Sequence, residues 1–218
     1  MRTGVTSSAG RRDFPGRAVG GHHGRVSDLV AARAALLEHL RGRFPGQVVE
    51  EMPGADGPIE DLVEGFRVFR IHPQQPGGWW LYVTSGCWAA SQEDGHGLEF
   101  VLAAPADDWV NLESVTVAAY YHCGSVRQRL DAGHVVPIGR PWLGGSSCDH
   151  FLVSLPYPFG REFEICRWGE NAHVRILWLL PITQAENVFR REQGLEALEC
   201  LFDEGAIDPV DTKRASVV

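Results

Sequence analysis

Apolar residues crowd one segment of this chain, Val174 to Leu180, which is rich in β-branched and bulky side chains. Such a run is too short to cross a bilayer and predicts a strand buried on both faces. Pro181 has no N–H to donate and is expected to end the strand's ladder. Thr183 and Glu186 then fall at the spacing of a capping box, which predicts a helix start. Val188 and Phe189 give that helix an apolar face, and Gly194 interrupts it. Leu195, Leu198, Leu201 and Phe202 resume at helical spacing. Trp178, Thr183 and Glu186 are the residues expected to hold this junction together.

The same pattern, followed from the start, places a helix from Ser27 or Asp28 to about Arg43. Its expected buried stripe is Leu29, Leu36, Leu40 and Phe44, joined by Val30 and Leu37. The stretch Pro45–Pro58 reads as loop, with a short strand at Gln47–Glu50. Strand-like runs follow at Phe66–Ile71, Trp79–Thr84 and Leu98–Ala103. Asp107 or Asp108 caps a helix carrying Leu112, Val115, Ala119 and His122 on one side. Further strands are expected at His134–Ile138, Phe151–Leu155 and Phe163–Arg167, divided by Gly and Pro turns. Helices at both ends around a central set of strands predict a single layered domain of α+β or α/β class, a mixed sheet flanked by helices. The domain is expected over 27–204, with a disordered Gly/Arg-rich tail at 1–26 and a second tail at 205–218.

Composition adds to this picture chiefly through charge. Hydrophobic residues make up 44% and charged residues 22% of the 218, as in soluble globular proteins. Residues 1–26 hold five Arg and one Asp; the remainder carries 15 basic and 27 acidic residues, a net charge of −12. That body repels nucleic acid and attracts a basic partner. Seven tryptophans suggest amphipathic contact surfaces as well as core. Five scattered cysteines without a C-x-x-C pair argue against a disulfide framework and a structural zinc site. No signal peptide or membrane span is legible, and the expected location is the cytoplasm.

Candidate chemistry is thin. Ser85-Gly86-Cys87-Trp88 distantly echoes a papain-type nucleophile, with His134, His150 and Asn171 downstream in a plausible order. No helix pattern begins at Cys87 to lower its pKa, so a half-buried cysteine at a strand end is the plainer explanation. Cys148-x-His150 and His122-Cys123 lack the spacing of zinc ligand pairs. His122 falls on the apolar side of its helix, where a hydrogen-bonded core histidine is expected. Gly144-Gly145-Ser146-Ser147 has no Lys and no following helix to cradle phosphate. The carboxylate pairs (Glu50-Glu51, Glu93-Asp94, Asp107-Asp108) lie in polar loops. The sequence reads as non-catalytic, without cofactor or metal.

The ordered set of motifs resembles the suppressor of fused (SUFU) domain family over about residues 28–204. The buried strand running into Ile182-Thr183-x-x-Glu186 and then the acidic, Leu-rich helix from Gly194 is the first part of the likeness. Gly97-Leu98-Glu99-Phe100-Val101-Leu102 is similar to the family's G-x-E strand. Trp109, Leu112 and Ala118-Ala119-Tyr120 resemble its W…L…A-x-Y helix. Gly133-His134-Val135, Pro141 and Phe159-Gly160 match its later turns. Animal members have an acidic residue immediately before that His, where this chain has Gly133. The resemblance implies binding rather than catalysis: animal members hold a transcription factor inactive, and bacterial single-domain members look like immunity proteins that neutralise polymorphic toxins. A protein partner, a basic toxin domain, is therefore expected, and no nucleic acid or membrane. A regulatory adaptor with another partner, and a cysteine hydrolase using Cys87, are the alternatives. Tyr120 and His134 map onto the family's binding region, with Asp107, Asp108 and Trp109 leading into the same helix. The plainer account makes Tyr120 and Trp109 core and the two acids a helix cap. Strand Trp79–Thr84, entered through Pro76-Gly77-Gly78, is expected to border an accessible groove.

Overall fold

Hydrophobic alternation on both sides of one long strand builds this molecule. The computed structural model describes residues 22–90, 96–124, 129–170 and 172–218. That strand, β8, covers Ala172–Thr183 and lies inside an eight-stranded mixed sheet. The other strands are β1 (Val49–Pro53), β2 (Arg67–Ile71), β3 (Trp80–Ser85), β4 (His96–Ala104), β5 (Val135–Pro137), β6 (Cys148–Ser154) and β7 (Ile165–Trp168). β1 to β4 form an antiparallel meander, and β4 then pairs parallel with β8. Along its other edge β8 pairs antiparallel, first with β7 through Ala172–Arg175 and then with β6 through Trp178–Thr183. β5 closes that side by pairing with β6.

Val174, Ile176, Trp178, Leu180 and Ile182 point to one face of the sheet, Leu177 and Leu179 to the other. On the first face lie α1 (His22–Arg43), α4 (Arg161–Glu164) and α6 (Leu195–Glu204), supplying Leu36, Leu40, Phe163, Leu198 and Phe202. On the second lie α2 (Ile59–Leu62) and α3 (Trp109–Gly124), supplying Ile59, Leu112, Val115 and Ala119. The result is a three-layer α+β domain whose central strand is buried on both faces.

Several expectations change in the fold. α1 starts at His22, ahead of Ser27, so it takes in the end of the expected tail; residues 1–21 lie outside the described residues. Its buried side is narrower than the stripe read from sequence, centred on Ala32, Leu36 and Leu40, with Val30 63% exposed. The early strand is Val49–Pro53. Phe163 belongs to a helical turn: Gly160, at φ 82°, opens it, and the ring packs 5.7 Å from Phe44 and 5.0 Å from Phe159.

Pro181 does not end β8, which runs on to Thr183. Pairing with β4 reaches only to Trp178, so the missing N–H of Pro181 falls where no ladder bond is required. The Pro181 carbonyl is taken instead by Arg214 Nη2 at 2.9 Å.

The stretch 205–218 is no loose tail in this fold: it returns to the start of α5 (Gln184–Gln193). Thr183 and Glu186 make the predicted capping box. Arg214 donates from Nη1 and Nη2 to the two Glu186 oxygens at 2.6 and 2.8 Å, with both side chains buried. The Val217 amide donates to Glu186 Oε1 at 3.2 Å, and Ser216 Oγ lies 3.1 Å from Thr183 Oγ1. Burial pushes the Glu186 carboxyl up, but the Arg214 hydrogen bond and the Thr183 amide outweigh it and hold it below the usual range.

Candidate protein-binding site

The helix that carries most of the expected site residues is capped by Asp108, whose Oδ1 accepts the Val110 amide at 2.9 Å. Leu112, Val115, Ala118 and Ala119 turn inward to the sheet. The opposite side presents Trp109, Val117, Tyr120 and Tyr121, which are 58, 50, 43 and 38% exposed. These four positions fall within one arc of the helix. The two large rings expected either as anchors or as core therefore stand at the surface. Trp109 and Tyr120 are separated by about 16 Å along the axis at 1.5 Å per residue.

Asp107 has a different setting from the one expected of a free steering charge. Arg70 Nη1 donates to its two oxygens at 3.0 and 2.8 Å, and Tyr82 Oη donates to Oδ1 at 2.7 Å. Arg70 also bonds Glu50, which places a compensated network at the entrance to α3. Further along, Glu113 pairs with Arg140.

His134 lies away from these acids, beside the C-terminal half of α3. The Asp131 amide donates to its Nδ1 at 3.1 Å, and its carbonyl accepts the Val153 amide at 2.8 Å, prolonging the β5–β6 pairing. Gly133 has φ 86°, a conformation in which other residues are strained. An open hollow of about 430 Å³ here is lined by Tyr121, His134, His150, Arg129, Arg190 and Arg191. Its lining is cationic, the reverse of what a basic partner would meet.

Cys87 is fully buried. Burial, then a hydrogen bond with Cys123 and the charge of Glu99, push its thiol well above the ordinary value. A thiol held protonated is not the nucleophile that a cysteine hydrolase needs. His150 Nδ1 lies 2.7 Å from Asp149, and Asn171 is outside the described residues. Among the described residues, no three His, Cys, Asp or Glu side chains gather to hold a metal ion. His122 is a core residue: its Nδ1 accepts the Leu130 amide at 2.9 Å and its ring packs edge-on at 5.3 Å from Phe100.

The G-x-E strand turns out to be a device for holding the Cys87 turn. Glu99 is buried and accepts Thr84 Oγ1 at 2.6 Å, the Gly86 amide at 2.7 Å and the Trp88 amide at 3.3 Å. At Gly97 a Cβ would collide with the backbone of Trp88, so no larger residue fits.

A groove of about 720 Å³ on the α1–α6 face of the sheet was not assembled from the sequence. Trp79, Tyr157, Trp178 and Phe202 line it, together with Glu199, Asp203 and Asp208. Trp79 beside an accessible groove was legible; its neighbours come from segments about 80 to 130 residues further along the chain.

With the geometry in place, the likenesses to known proteins can be read. No curated protein matches the chain. A protein from Neisseria gonorrhoeae FA 1090 designated a SUFU (suppressor of fused protein) homologue is 35% identical, with a TM-score of 0.75 over 87% of this chain and 98% of that one. The Sufu–Fu complex structure gives 12% identity and a TM-score of 0.57, covering 86% of this chain and 92% of the other. Drosophila Suppressor of Fused gives 12% and 0.61, covering 86% of this chain and 51% of its own. At 12% identity these two show the shared fold alone. The family model described as Suppressor of fused protein (SUFU) matches residues 63–215, from the end of α2 to the C-terminal segment that pins Glu186. The matched span thus contains β8, the capping box and the G-x-E strand, and the chain belongs to the suppressor of fused (SUFU) family.

Proposed function

We propose that this chain is an immunity-type protein of the cytoplasm that binds a basic toxin domain and blocks it. The observation that carries the reading is the outward side of α3, where Trp109, Val117, Tyr120 and Tyr121 stand exposed on a helix otherwise packed against the sheet. Aromatic side chains are the residues whose burial supplies most of the energy at protein interfaces. The acidic body beyond residue 26 supports a cationic partner by attracting it over distance. The solved Sufu–Fu complex supports protein binding as a use of this fold. In the binding role Trp109 and Tyr120 are contact residues, Asp108 fixes the start of their helix, and Asp107 braces it through Arg70 and Tyr82. His134 borders the same end of the surface as Tyr121.

The test is neutralisation. The reading frame beside this one is expected to encode a large secreted protein with a variable C-terminal domain. Expressing that domain should arrest growth, co-expression of this chain should restore it, and a Trp109→Ala, Tyr120→Ala double variant should not. Growth arrest that this chain leaves untouched would turn the reading to its alternative, an adaptor for another protein partner using the same face of α3.

A further inference from the structure

The α1–α6 face of the sheet carries a second surface, built from different chemistry. Trp178 and Phe202 form its floor, and Trp79 and the 60%-exposed Tyr157 its sides. Glu199 and Asp203 stand on the wall contributed by α6, and among the described residues the groove's lining includes no Lys or Arg. Burial pushes the Glu199 carboxyl up, and the charges of Asp203 and Glu196 push it further. Burial, then the charges of Glu199, Asp203 and Glu164, raise the Tyr157 hydroxyl. Negative potential therefore converges on aromatic walls, since Arg214, whose Cζ lies 5.6 Å from the Phe202 ring, is already paired with Glu186 and does not line the groove. Trp178 is 5% exposed and lines the groove, and its indole Nε1–H, a donor that an acceptor such as a peptide carbonyl would satisfy, is buried without a partner among the described residues.

We infer that this groove receives an arginine side chain on an extended, otherwise apolar segment of a protein partner. A guanidinium stacks on indole and phenol faces while its N–H groups reach carboxylates, a combination that a lysine ammonium meets less well. Apolar neighbours of that arginine would cover the rest of the floor. The inference rests on the reading of this chain as a protein-binding module. It is independent of the α3 face, which lies on the other side of the sheet.

The probe is the peptide acetyl-Gly-Leu-Arg-Leu-Gly-amide, with a citrulline version as its uncharged isostere. Titrated into the full chain carrying ¹⁵N-labelled tryptophan, the arginine peptide should shift the indole signals of Trp79 and Trp178 saturably and leave that of Trp109 unmoved. The citrulline peptide should bind about tenfold more weakly, and a Glu199→Gln, Asp203→Asn variant should lose about the same factor for the arginine peptide alone. Equal binding of the two peptides would overturn the proposal. So would shifts at Trp109 rather than at Trp79 and Trp178, or no shift at all. Growth rescue is read separately: peptide binding without rescue removes the toxin role and keeps the groove, and rescue without peptide binding does the reverse.

Discussion

Arg214 shows how much a single residue far from any periodic pattern can hold in place. Its guanidinium meets the Glu186 carboxylate, the Pro181 carbonyl and the Ala215 carbonyl, and its Cζ lies 5.6 Å above the Phe202 ring. Removing one partner of a buried pair leaves the other charge stranded, so Arg214→Ala should lower stability by about 3–5 kcal/mol. Thr183→Ala removes a cap and should cost about 1 kcal/mol. Urea melts of the two variants should rank in that order, and equal small losses would mean that the pair contributes no more than the cap. His122 offers a pH test. Burial, with the charge of Arg129 adding to it and Asp131 opposing, depresses its pKa from 6.5 to about 4. The folded state thus resists a proton that the unfolded chain accepts. Stability is fully present above about pH 6.5 and is lost as pH falls toward 4. His39, lowered chiefly by its own burial, acts in the same sense. His122→Gln should flatten the decline in melting temperature between those limits; an unchanged slope would assign the decline to other groups, His39 and the Arg214-paired Glu186 among them.

At the scale of elements, what was legible had a local cause. The run Val174–Leu180 announced β8, and Thr183 with Glu186 announced α5, because both signals lie within a few neighbouring residues. The inward side of α3 was legible from Leu112, Val115 and Ala119, which repeat at helical spacing. Whether Trp109 and Tyr120 were core or surface was not, since that depends on what covers them. Pro181 was misread because its tolerance depends on where the pairing with β4 stops, a fact of topology rather than of sequence. The return of residues 205–218 was hidden because Arg214 finds Glu186 across 28 positions, from an aperiodic stretch that follows two helices. The groove went unseen for the same reason. The two acids before α3 now separate by role. Asp107→Lys should break the Arg70 and Tyr82 bonds and lower the melting temperature. Tyr120→Ala should leave it unchanged while speeding dissociation of a bound partner. A Tyr120→Ala protein that melts early would return that ring to the core.

For the molecule as a whole, charge and sheet geometry bear on binding in different ways. The exposed side of α3 and the acidic groove occupy opposite faces of one sheet, so neither surface need be altered when the other is engaged. The field of the −12 body, by contrast, extends around both. Arg129, Arg190 and Arg191 at the His134 hollow interrupt it locally, and the bonded Asp107 adds little there. Steering of a basic partner must therefore come from the summed charge rather than from a ring of acids about Tyr120. Raising salt from about 0.01 M to about 1 M shortens the screening length from about 30 Å to about 3 Å. Over that range the association rate with a basic partner should fall steeply, while dissociation, governed by packed aromatic contacts, should change little. Asp108→Asn, which keeps the cap, should leave the low-salt association rate close to that of the parent protein, because it removes only one unit from a field made by the whole body. An association rate that ignores salt would show that the acidic body plays no part in recognition, and that the partner is chosen by contacts alone.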